Sequence, residues 1–407
     1  MNILLGICGS ISAYKTLDIA RAWINNGHQV KVILTKGAAE FVLANTFKYL
    51  GIIEVYTAKD DFNLSYYNGN NNVLHIDLAN WADRFVIAPL SAHTLGRLCN
   101  GLADDLLTCT FLALAKSKPI IVFPAMNTKM LEHPFVQENL DKLNTLENLF
   151  VHPTDFGLLV CGETGAGKFP SVNAVIENAI NINPFNQGSK LILISTGATV
   201  APLDPVRYLT NPSSGLTGHH LAIEAHRRGY QVILLAGQYA HEKIDVLNYY
   251  PNLKVIRVLT TEEMRNIVTK YFAKADLYIS AAAIGDIEFD ITTEKLKKDQ
   301  FMKSIPIRKS RDILKEILDL KTDKQKVVGF AAETNLSQAM LSKKWHAKPV
   351  DLLVGTTVHN GLIKNTTAQG FGTDRAEYKL FAMDEIYWQG PLTKTMLAKK
   401  IFEKVGF

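Results

Sequence analysis

Short runs of β-branched and aliphatic residues recur along this chain, and a helical pattern lies between most of them. The ten predicted strands comprise residues 3–7, 30–34, 85–88, 120–123, 191–194, 232–235, 255–259, 277–280, 327–330 and 352–354. Regular alternation of strands and helices is typical of a parallel sheet with helices on both faces. The pattern therefore predicts an α/β fold with mostly parallel sheets.

The alternation starts again near the middle of the chain. A length of 407 residues exceeds one ordinary hydrophobic core and favours two domains of about 200 residues each. Residues 181–190 are polar, contain proline and glycine and lack periodicity, as is typical of a linker. We predict two Rossmann-like, doubly wound domains, residues 1–186 and residues 187–407.

Composition excludes several classes of protein. Hydrophobic residues make up 47% and charged residues 20% of the chain, which is typical of a globular protein. No apolar run approaches the roughly 20 residues of a membrane span, and residues 1–7 form a strand pattern without the features of a signal peptide. We therefore expect a cytoplasmic protein without a membrane partner. The net charge of +5 is mild and dispersed, so no nucleic-acid partner is expected.

The four cysteines are expected to act, if at all, as single thiols. Cys8, Cys99, Cys109 and Cys161 show no paired spacing, so neither a disulfide framework nor a zinc site is predicted.

A glycine-rich segment follows Cys161. Residues 162–168 match the pattern G-x-x-x-x-G-K of a phosphate-binding loop, but the next residue is Phe169, where that loop needs Ser or Thr to hold Mg²⁺. We interpret the segment as a mobile loop that could close the thiol of Cys161 over a bound substrate. The alternative is a buried cysteine before a surface loop.

Small and polar residues follow the first three predicted strands, where ligands bind in open α/β sheets. Gly9, Ser10 and Ser12 open the first helix, whose free N–H groups and dipole favour a phosphate. Thr35 and Ser91 follow the next two strands. Because G-x-G-x-x-G is absent, a mononucleotide fits better than a dinucleotide.

Two further polar residues lie near predicted helix starts. His75 is followed by a helical pattern, and the dipole there favours the neutral imidazole that can accept a proton. A structural loop histidine is the alternative. Asn127 follows a buried strand and either caps the next helix or binds a substrate carboxylate.

The first half resembles the flavin-dependent cysteine decarboxylases, specifically the phosphopantothenoylcysteine decarboxylases. The resemblance is carried by residues 9–15, 75, 88–94, 101–106, 124–127 and 161–168. It implies a flavodoxin-like flavoprotein domain with His75 as the catalytic base, Asn127 as the ligand of the substrate carboxylate and Cys161 as the proton donor. The residues implied to bind FMN are Gly9, Ser10, Ile11, Thr35, Ser91 and Thr94.

The second half also contains candidate anion-binding residues. Residues 204–215 form a polar loop before a helix, and such a loop can hold a phosphate or carboxylate. Asp286 follows a predicted strand, and three lysines lie between residues 295 and 298, a run that is usually a solvated surface. Lys344 and Lys348 are spaced by one helical turn, so both can face one anionic group.

The order of these elements resembles phosphopantothenate–cysteine ligase over residues 190–384, with residues 328–334 and 371–374 adding to the signature. The resemblance implies that Arg207 and Asn211 hold an acyl intermediate and that Asn211 and Lys295 act in catalysis. Mg²⁺ would be bridged by the phosphates of CTP. The residues implied to bind CTP are Asp286, Lys295, Asp312, Ile313, Phe330, Lys344 and Lys348.

Several residues depart from the two families. The second half has Leu216 where a lysine is usual, beside Asn211, and this change is expected to weaken phosphate binding. The first half has Lys168 where arginine is usual, which weakens any bidentate contact. The other departures are His93, Ala198, Ala201, Thr217 and Gly285.

Together the resemblances imply a bifunctional enzyme of coenzyme A biosynthesis. It would join cysteine to 4′-phosphopantothenate with CTP, through an acyl-cytidylate, and decarboxylate phosphopantothenoylcysteine to 4′-phosphopantetheine with FMN. They also imply a homo-oligomer, a dodecamer of trimers with flavin between subunits and dimeric ligase domains. The alternatives are a nicotinamide oxidoreductase, which requires a dinucleotide fingerprint, and a non-catalytic flavin-binding regulator, which requires loss of His75 or Cys161.

Overall fold

The computed structural model describes residues 1–63, 73–185, 188, 190–290, 293–296, 305–358 and 373–407. The chain divides into two compact units, Met1–Asn186 and Gln187–Phe407. Each unit has its own central sheet and its own hydrophobic core. Among the residues described, no helix combines the length and the apolar character that a membrane span requires.

The first unit contains eight described strands and eight described α-helices. Its strands are β1 (Asn2–Ile7), β2 (Gln29–Leu34), β3 (Val55–Thr57), β4 (Arg84–Leu90), β5 (Ile120–Pro124), β6 (Leu149–Val151), β7 (Asp155–Leu158) and β8 (Thr164–Lys168). Its helices are α1 (Thr16–Asn25), α2 (Ala44–Tyr49), α3 (Leu74–Trp81), α4 (Ala92–Cys99), α5 (Leu106–Ala113), α6 (Thr128–Leu131), α7 (Pro134–Asn144) and α8 (Val172–Asn181).

The main sheet of the first unit is parallel, with strand order β3-β2-β1-β4-β5-β6. This is the order of a doubly wound, Rossmann-like sheet, as predicted, and it reverses between β1 and β4. Strand β4 is buried at every position, which explains the apolar run from Phe85 to Leu90. Ligands of such sheets bind beyond the carboxyl ends of β1 and β4, where the order reverses.

The second unit contains twelve described strands and five described α-helices. Its strands are β9 (Leu191–Thr196), β10 (Val200–Pro202), β11 (Tyr208–Thr210), β12 (Gln231–Gly237), β13 (Leu253–Val258), β14 (Leu277–Ser280), β15 (Ile287–Phe289), β16 (Ile307–Lys309), β17 (Lys326–Glu333), β18 (Leu352–Thr357), β19 (Arg375–Ala382) and β20 (Glu385–Thr393). Its helices are α9 (Leu216–Arg227), α10 (Thr261–Phe272), α11 (Ile313–Leu320), α12 (Gln338–Ala347) and α13 (Lys394–Val405).

The main sheet of the second unit has the order β13-β12-β9-β14-β17-β18-β19-β20. Its first six strands are parallel, whereas β19 and β20 add an antiparallel edge. All ten predicted strands are present, so the prediction of mostly parallel α/β sheets is confirmed. The antiparallel pair was not predicted. The last helix begins at Lys394, because the Thr393 side chain caps it by accepting a hydrogen bond from the Met396 N–H.

Candidate active sites

A cavity of about 720 Å³ lies at the carboxyl edge of the first unit's sheet. It is lined by the turns that follow β1, β2, β4 and β5, together with the segment between β7 and β8. The six residues that sequence predicts to bind FMN all line it, namely Gly9, Ser10, Ile11, Thr35, Ser91 and Thr94. Asn127 and Cys161 line the same cavity, and so does His93, one of the departures.

Local geometry explains the small and hydroxyl-bearing residues of this cavity. A Cβ added at Gly9 would lie 3.0 Å from the Cα of Gly37, so glycine allows the turns after β1 and β2 to approach each other. The hydroxyl of Ser10 accepts from the Ser12 N–H at 3.3 Å, and that of Ser91 accepts from the Thr94 N–H at 3.3 Å. The two serines therefore mark helix starts whose N–H groups border the cavity.

The glycine-rich segment forms an antiparallel hairpin of β7 and β8, with Cys161 exposed at its turn. Residues 164–168 form a strand and do not open a helix, which agrees with the rejection of a phosphate-binding loop. A Cβ at Gly165 would lie 2.3 Å from the Thr128 hydroxyl, and one at Gly167 would lie 2.3 Å from the Met126 carbonyl oxygen. The glycines therefore let the hairpin pack closely against the residues that flank Asn127.

The side chain of Asn127 makes two kinds of contact. Its Oδ1 accepts from the Lys129 N–H at 2.9 Å and caps α6. Its Nδ2 donates to the Cys161 sulfur at 3.2 Å and to the Glu163 carboxylate at 3.2 Å. Capping, the commoner role considered for this residue, is present, and the amide nitrogen also faces the candidate proton donor.

The carboxylate of Glu163 joins this cluster. Its Oε1 accepts from the Lys129 ammonium at 3.1 Å, and the Cys161 sulfur lies 3.9 Å from its Oε2. Hydrogen bonds from Lys129 and then from Asn127 hold the pKa of Glu163 below its usual value. Glu163 was not singled out from sequence, because a charged residue in a turn carries no signal of its own.

His75 is the second residue of α3 and is not among the residues that line the cavity of its own unit. Its Nδ1 lies 2.7 Å from Oδ2 of Asp61, which is almost fully buried. His75 lies near a helix start, as predicted, whereas Asp61 was not predicted to be part of a site. The two residues are fourteen positions apart, and no periodic pattern links them.

The second unit has a smaller cavity, of about 100 Å³, at the start of α9 and the carboxyl end of β17. Phe330, Leu216 and Thr217 line it, together with Tyr378 and Lys394, which sequence analysis missed. Lys394 is only 2% exposed, and burial lowers its pKa while the charge of Asp374 opposes that shift. Neither Tyr378 nor Lys394 belongs to a motif, so nothing in the sequence marked either residue as part of a site.

The loop before α9 holds Arg207 and Asn211. Arg207 donates from Nε to Asp204 at 3.0 Å and also contacts the Leu296 carbonyl oxygen at 2.9 Å. This guanidinium holds the pKa of Asp204 well below its usual range. The Asn211 side chain is exposed and donates to the Ala283 carbonyl oxygen at 3.4 Å.

The candidate CTP residues are spread over several elements. Asp286 and Lys295 are exposed, whereas Lys297, Lys298 and positions 371–372 lie outside the described residues. Asp312 caps α11, and Ile313 is buried at the start of that helix.

Lys344 and Lys348 do not share one anion in this structure. Lys344 contacts Glu333 at 2.5 Å, and Lys348 contacts Asp312 at 2.7 Å. Helix α12 ends at Ala347, and Lys348 is its C-cap residue, with its N–H donating to the Lys344 carbonyl oxygen at 3.0 Å. Each ammonium group is held by its own carboxylate.

Comparison with known proteins identifies the class of the chain. Residues 1–183 match the Flavoprotein family, and residues 187–406 match the family described as DNA/pantothenate metabolism flavoprotein C-terminal domain. The fold and these matches define a two-domain flavoprotein of pantothenate metabolism.

The particular family follows from full-length relatives. The coenzyme A biosynthesis bifunctional protein CoaBC of Bacillus subtilis is 34% identical over 389 residues, which is 94% of this chain and 91% of that protein. The protein of the same name from Escherichia coli K12 is 32% identical with the same coverage. The chain belongs to the CoaBC family of bifunctional coenzyme A biosynthesis proteins. Its predicted function in this pathway, as a decarboxylase and a ligase, is confirmed.

Solved structures are also similar to part of this chain, and one of them is a decarboxylase. A mutant of PPC decarboxylase complexed with pantothenoylaminoethenethiol is 33% identical, over 44% of this chain and 94% of that chain, with a TM-score of 0.40.

Proposed function

We propose that the first unit binds FMN and decarboxylates phosphopantothenoylcysteine, and that the second unit joins cysteine to 4′-phosphopantothenate with CTP and Mg²⁺. The observation that carries the decarboxylase proposal is the contact of Asn127 with Cys161 at the cavity that all six candidate FMN residues line. A positioned amide and a thiol at the edge of a nucleotide-sized cavity are the groups that this reaction needs.

The cavity of the first unit fits a flavin mononucleotide. Its volume of about 720 Å³ lies within the usual range for a small-molecule site. The N–H groups at the helix starts marked by Ser10 and Ser91 suit a phosphate, and Gly9 and Gly37 let the two turns that line the cavity approach each other closely. When bound, FMN supplies a reversible hydride acceptor, which allows the carboxylate to leave as CO₂.

Asn127 and Cys161 contribute substrate binding and proton donation. The Asn127 amide nitrogen donates to the substrate carboxylate and orients it over the cavity. The Cys161 thiol gives its proton to the substrate carbon in the final reduction, and exposure of the resulting thiolate lets solvent restore that proton. Contact between the two side chains keeps the donor close to the end of the substrate that reacts.

His75 accepts the proton that the substrate thiol loses during oxidation. Because His75 does not line the cavity of its own unit, we propose that it enters the cavity of a neighbouring copy of the chain. This requirement fits the trimers of a dodecameric homo-oligomer, in which the flavin lies between subunits.

In the second unit, the start of α9 receives phosphate. Gly215 precedes the helix with φ +75°. The Leu216 N–H donates to the Ser214 hydroxyl at 3.5 Å and the Gly218 N–H donates to the Thr196 hydroxyl at 3.2 Å, so within the described residues the Thr217 N–H is the first-turn donor that is available to an anion. Lys394 brings an ammonium group to the same cavity, where Leu216 replaces the usual lysine. Phe330 offers a ring to the CTP base, with Asp286, Lys295, Asp312 and Ile313 as further contacts.

The substrate carboxylate attacks the α-phosphorus of CTP and displaces pyrophosphate, giving an acyl-cytidylate. Before this attack, Lys344 and Lys348 exchange their carboxylate partners for phosphate oxygens of CTP, and Mg²⁺ held by those phosphates would offset their negative charge. The amine of cysteine displaces CMP from the acyl group. Arg207 holds this intermediate, and Asn211 polarises its carbonyl.

One assay tests both activities. Purified protein would be incubated with 4′-phosphopantothenate, cysteine, Mg²⁺ and CTP, with absorbance spectroscopy for bound flavin and mass spectrometry for products. Yellow protein that releases CO₂ and forms 4′-phosphopantetheine is expected. Accumulation of phosphopantothenoylcysteine would contradict the decarboxylase proposal alone, and colourless protein that forms neither product would contradict both. A parallel reaction with ATP tests the choice of CTP.

A further inference from the structure

We propose that Asp61 is a positioning residue for the decarboxylase reaction, which fixes the orientation and the tautomer of His75. The inference rests on the catalytic role proposed above for His75. It adds a residue to the reaction that neither the family resemblance nor the sequence motifs include.

The Asp61 carboxylate holds His75 at two points. Oδ1 accepts from the backbone N–H of His75 at 3.1 Å, and Nδ1 of the ring lies 2.9 Å from Oδ1 and 2.7 Å from Oδ2. Val73, at the N-cap of α3, has no side chain that can cap the helix, and Asp61 supplies an acceptor from outside. One carboxylate therefore anchors both the helix start and the ring.

This contact determines which ring nitrogen can accept a proton. A carboxylate accepts hydrogen bonds, so Nδ1 carries the proton and Nε2 carries the lone pair. Nε2 has no hydrogen-bond partner among the described residues, and the His75 side chain is 26% exposed whereas that of Asp61 is 4% exposed. The buried carboxylate thus presents the basic nitrogen of the ring at the surface.

Cys109 completes the surroundings of the carboxylate. The side-chain ligand atoms of Asp61, His75 and Cys109 all lie within 4.8 Å of one another. Burial raises the pKa of the Cys109 thiol, and the negative charges of Asp61 and Asp105 raise it further. The thiol therefore stays protonated and adds no second negative charge beside the ring.

The arrangement favours proton transfer to Nε2. When the substrate thiol gives its proton to Nε2, the ring becomes a cation held 2.7 Å from the ionised Asp61 carboxylate. The new positive charge is stabilised, and the ring need not rotate. Solvent then takes the proton from the exposed edge of the ring and restores the neutral base.

The test replaces Asp61 by its neutral isostere. We expect Asp61→Asn to lower kcat of decarboxylation by about 10²- to 10⁴-fold and to change KM for phosphopantothenoylcysteine by less than about threefold. Flavin absorbance and ligase activity should be retained, because the amide oxygen can still accept from the His75 N–H. Asp60→Asn is the matched control, since Asp60 lies on the same short helix, accepts from the Thr57 N–H and does not contact His75.

A second variant, Asp61→Glu, and an inactive reference, His75→Gln, distinguish the possible results. Asp61→Glu keeps the charge and should recover part of the kcat lost in Asp61→Asn, whereas equal loss in both would overturn the proposal. If Asp61→Asn keeps the parental kcat while His75→Gln abolishes decarboxylation, the proposed role of Asp61 is overturned and the proposed function stands. If the parent and Asp60→Asn both bind flavin but release no CO₂, the decarboxylase proposal itself fails.

Discussion

The amide nitrogen of Asn127 lies 3.2 Å from the sulfur of Cys161, across a gap of thirty-four residues in sequence. Three further contacts hold this pair: the Met126 N–H donates to the Gly167 carbonyl oxygen at 3.0 Å, the Thr128 hydroxyl donates to Ala166 at 2.6 Å, and Asn127 caps α6. The candidate carboxylate ligand and the candidate proton donor are therefore fixed relative to each other by backbone contacts.

We predict that Cys161→Ser separates CO₂ release from formation of the final product. A serine hydroxyl is a much poorer proton donor than a thiol, so the last reduction slows while the earlier steps continue. Mass spectrometry should detect a product lighter than 4′-phosphopantetheine by two hydrogens, with CO₂ release measured in parallel. Cys99→Ser is the control, because the buried Cys99 thiol contacts the Asn139 carbonyl oxygen away from the cavity. Normal product from Cys161→Ser would remove Cys161 from the reaction.

For the ligase, we predict that Lys348→Met raises KM for CTP by about 10- to 100-fold with a smaller effect on KM for cysteine, because one phosphate contact is lost. Lys348 is held by Asp312 at 2.7 Å before the nucleotide binds, so the variant also leaves that carboxylate without its cation. Steady-state kinetics with each substrate varied in turn gives both constants. Lys343→Met, at an exposed position of α12, should behave as the parent. Equal KM values for CTP in both variants would contradict the assignment.

Most parallel strands could be predicted because each contains a short apolar run bounded by turn residues, such as residues 85–90 of β4, all of which are buried. The parallel edge strands β3 and β6 were missed because each has only three residues. The antiparallel strand β20 was missed because its side chains alternate between exposed and half-buried, so Glu385–Thr393 shows no apolar run. Residues directly after strands, such as Ser10 and Ser91, were predictable from fold rules alone. Asp61 and Lys394 were not, since their proximity to His75 and to Phe330 arises only from tertiary packing.

Gly218 tests how closely α9 packs on the sheet of the second unit, and Gly96, a helical glycine of the first unit, is the comparison. A Cβ at Gly218 of α9 would lie 2.3 Å from the Thr196 Cβ on β9, so Gly218→Ala forces the helix from the sheet and should cost about 1–3 kcal/mol of unfolding free energy. Gly96 lies in α4, and a Cβ there would meet its nearest atom at 3.9 Å. Gly96→Ala should stabilise by about 0.5–1 kcal/mol. Urea unfolding measures both, and destabilisation of similar size in the two variants would contradict the close contact.

We predict that His219, which is buried in α9, makes the second unit less stable in acid. Burial, together with repulsion from His220, Lys243 and His241, lowers the pKa of His219 to about 3. In the unfolded chain a histidine titrates near pH 6.5, so between about pH 6.5 and pH 3 the unfolded state binds a proton that the folded state does not. The unfolding free energy should therefore fall with decreasing pH, by up to about 1.4 kcal/mol per unit from this residue, and stay constant above pH 6.5.

His219→Leu removes this titration and should flatten the pH dependence over that range. The Nδ1 of His219 is buried without a hydrogen bond within the described part of the chain, so the substitution breaks no contact at that atom. Urea unfolding at several pH values between about 4 and 8 measures the slope for the parent and the variant. His346→Gln, at an exposed histidine of the same unit, should retain the parental slope. If His219→Leu retains it as well, another buried group controls the acid sensitivity of this unit.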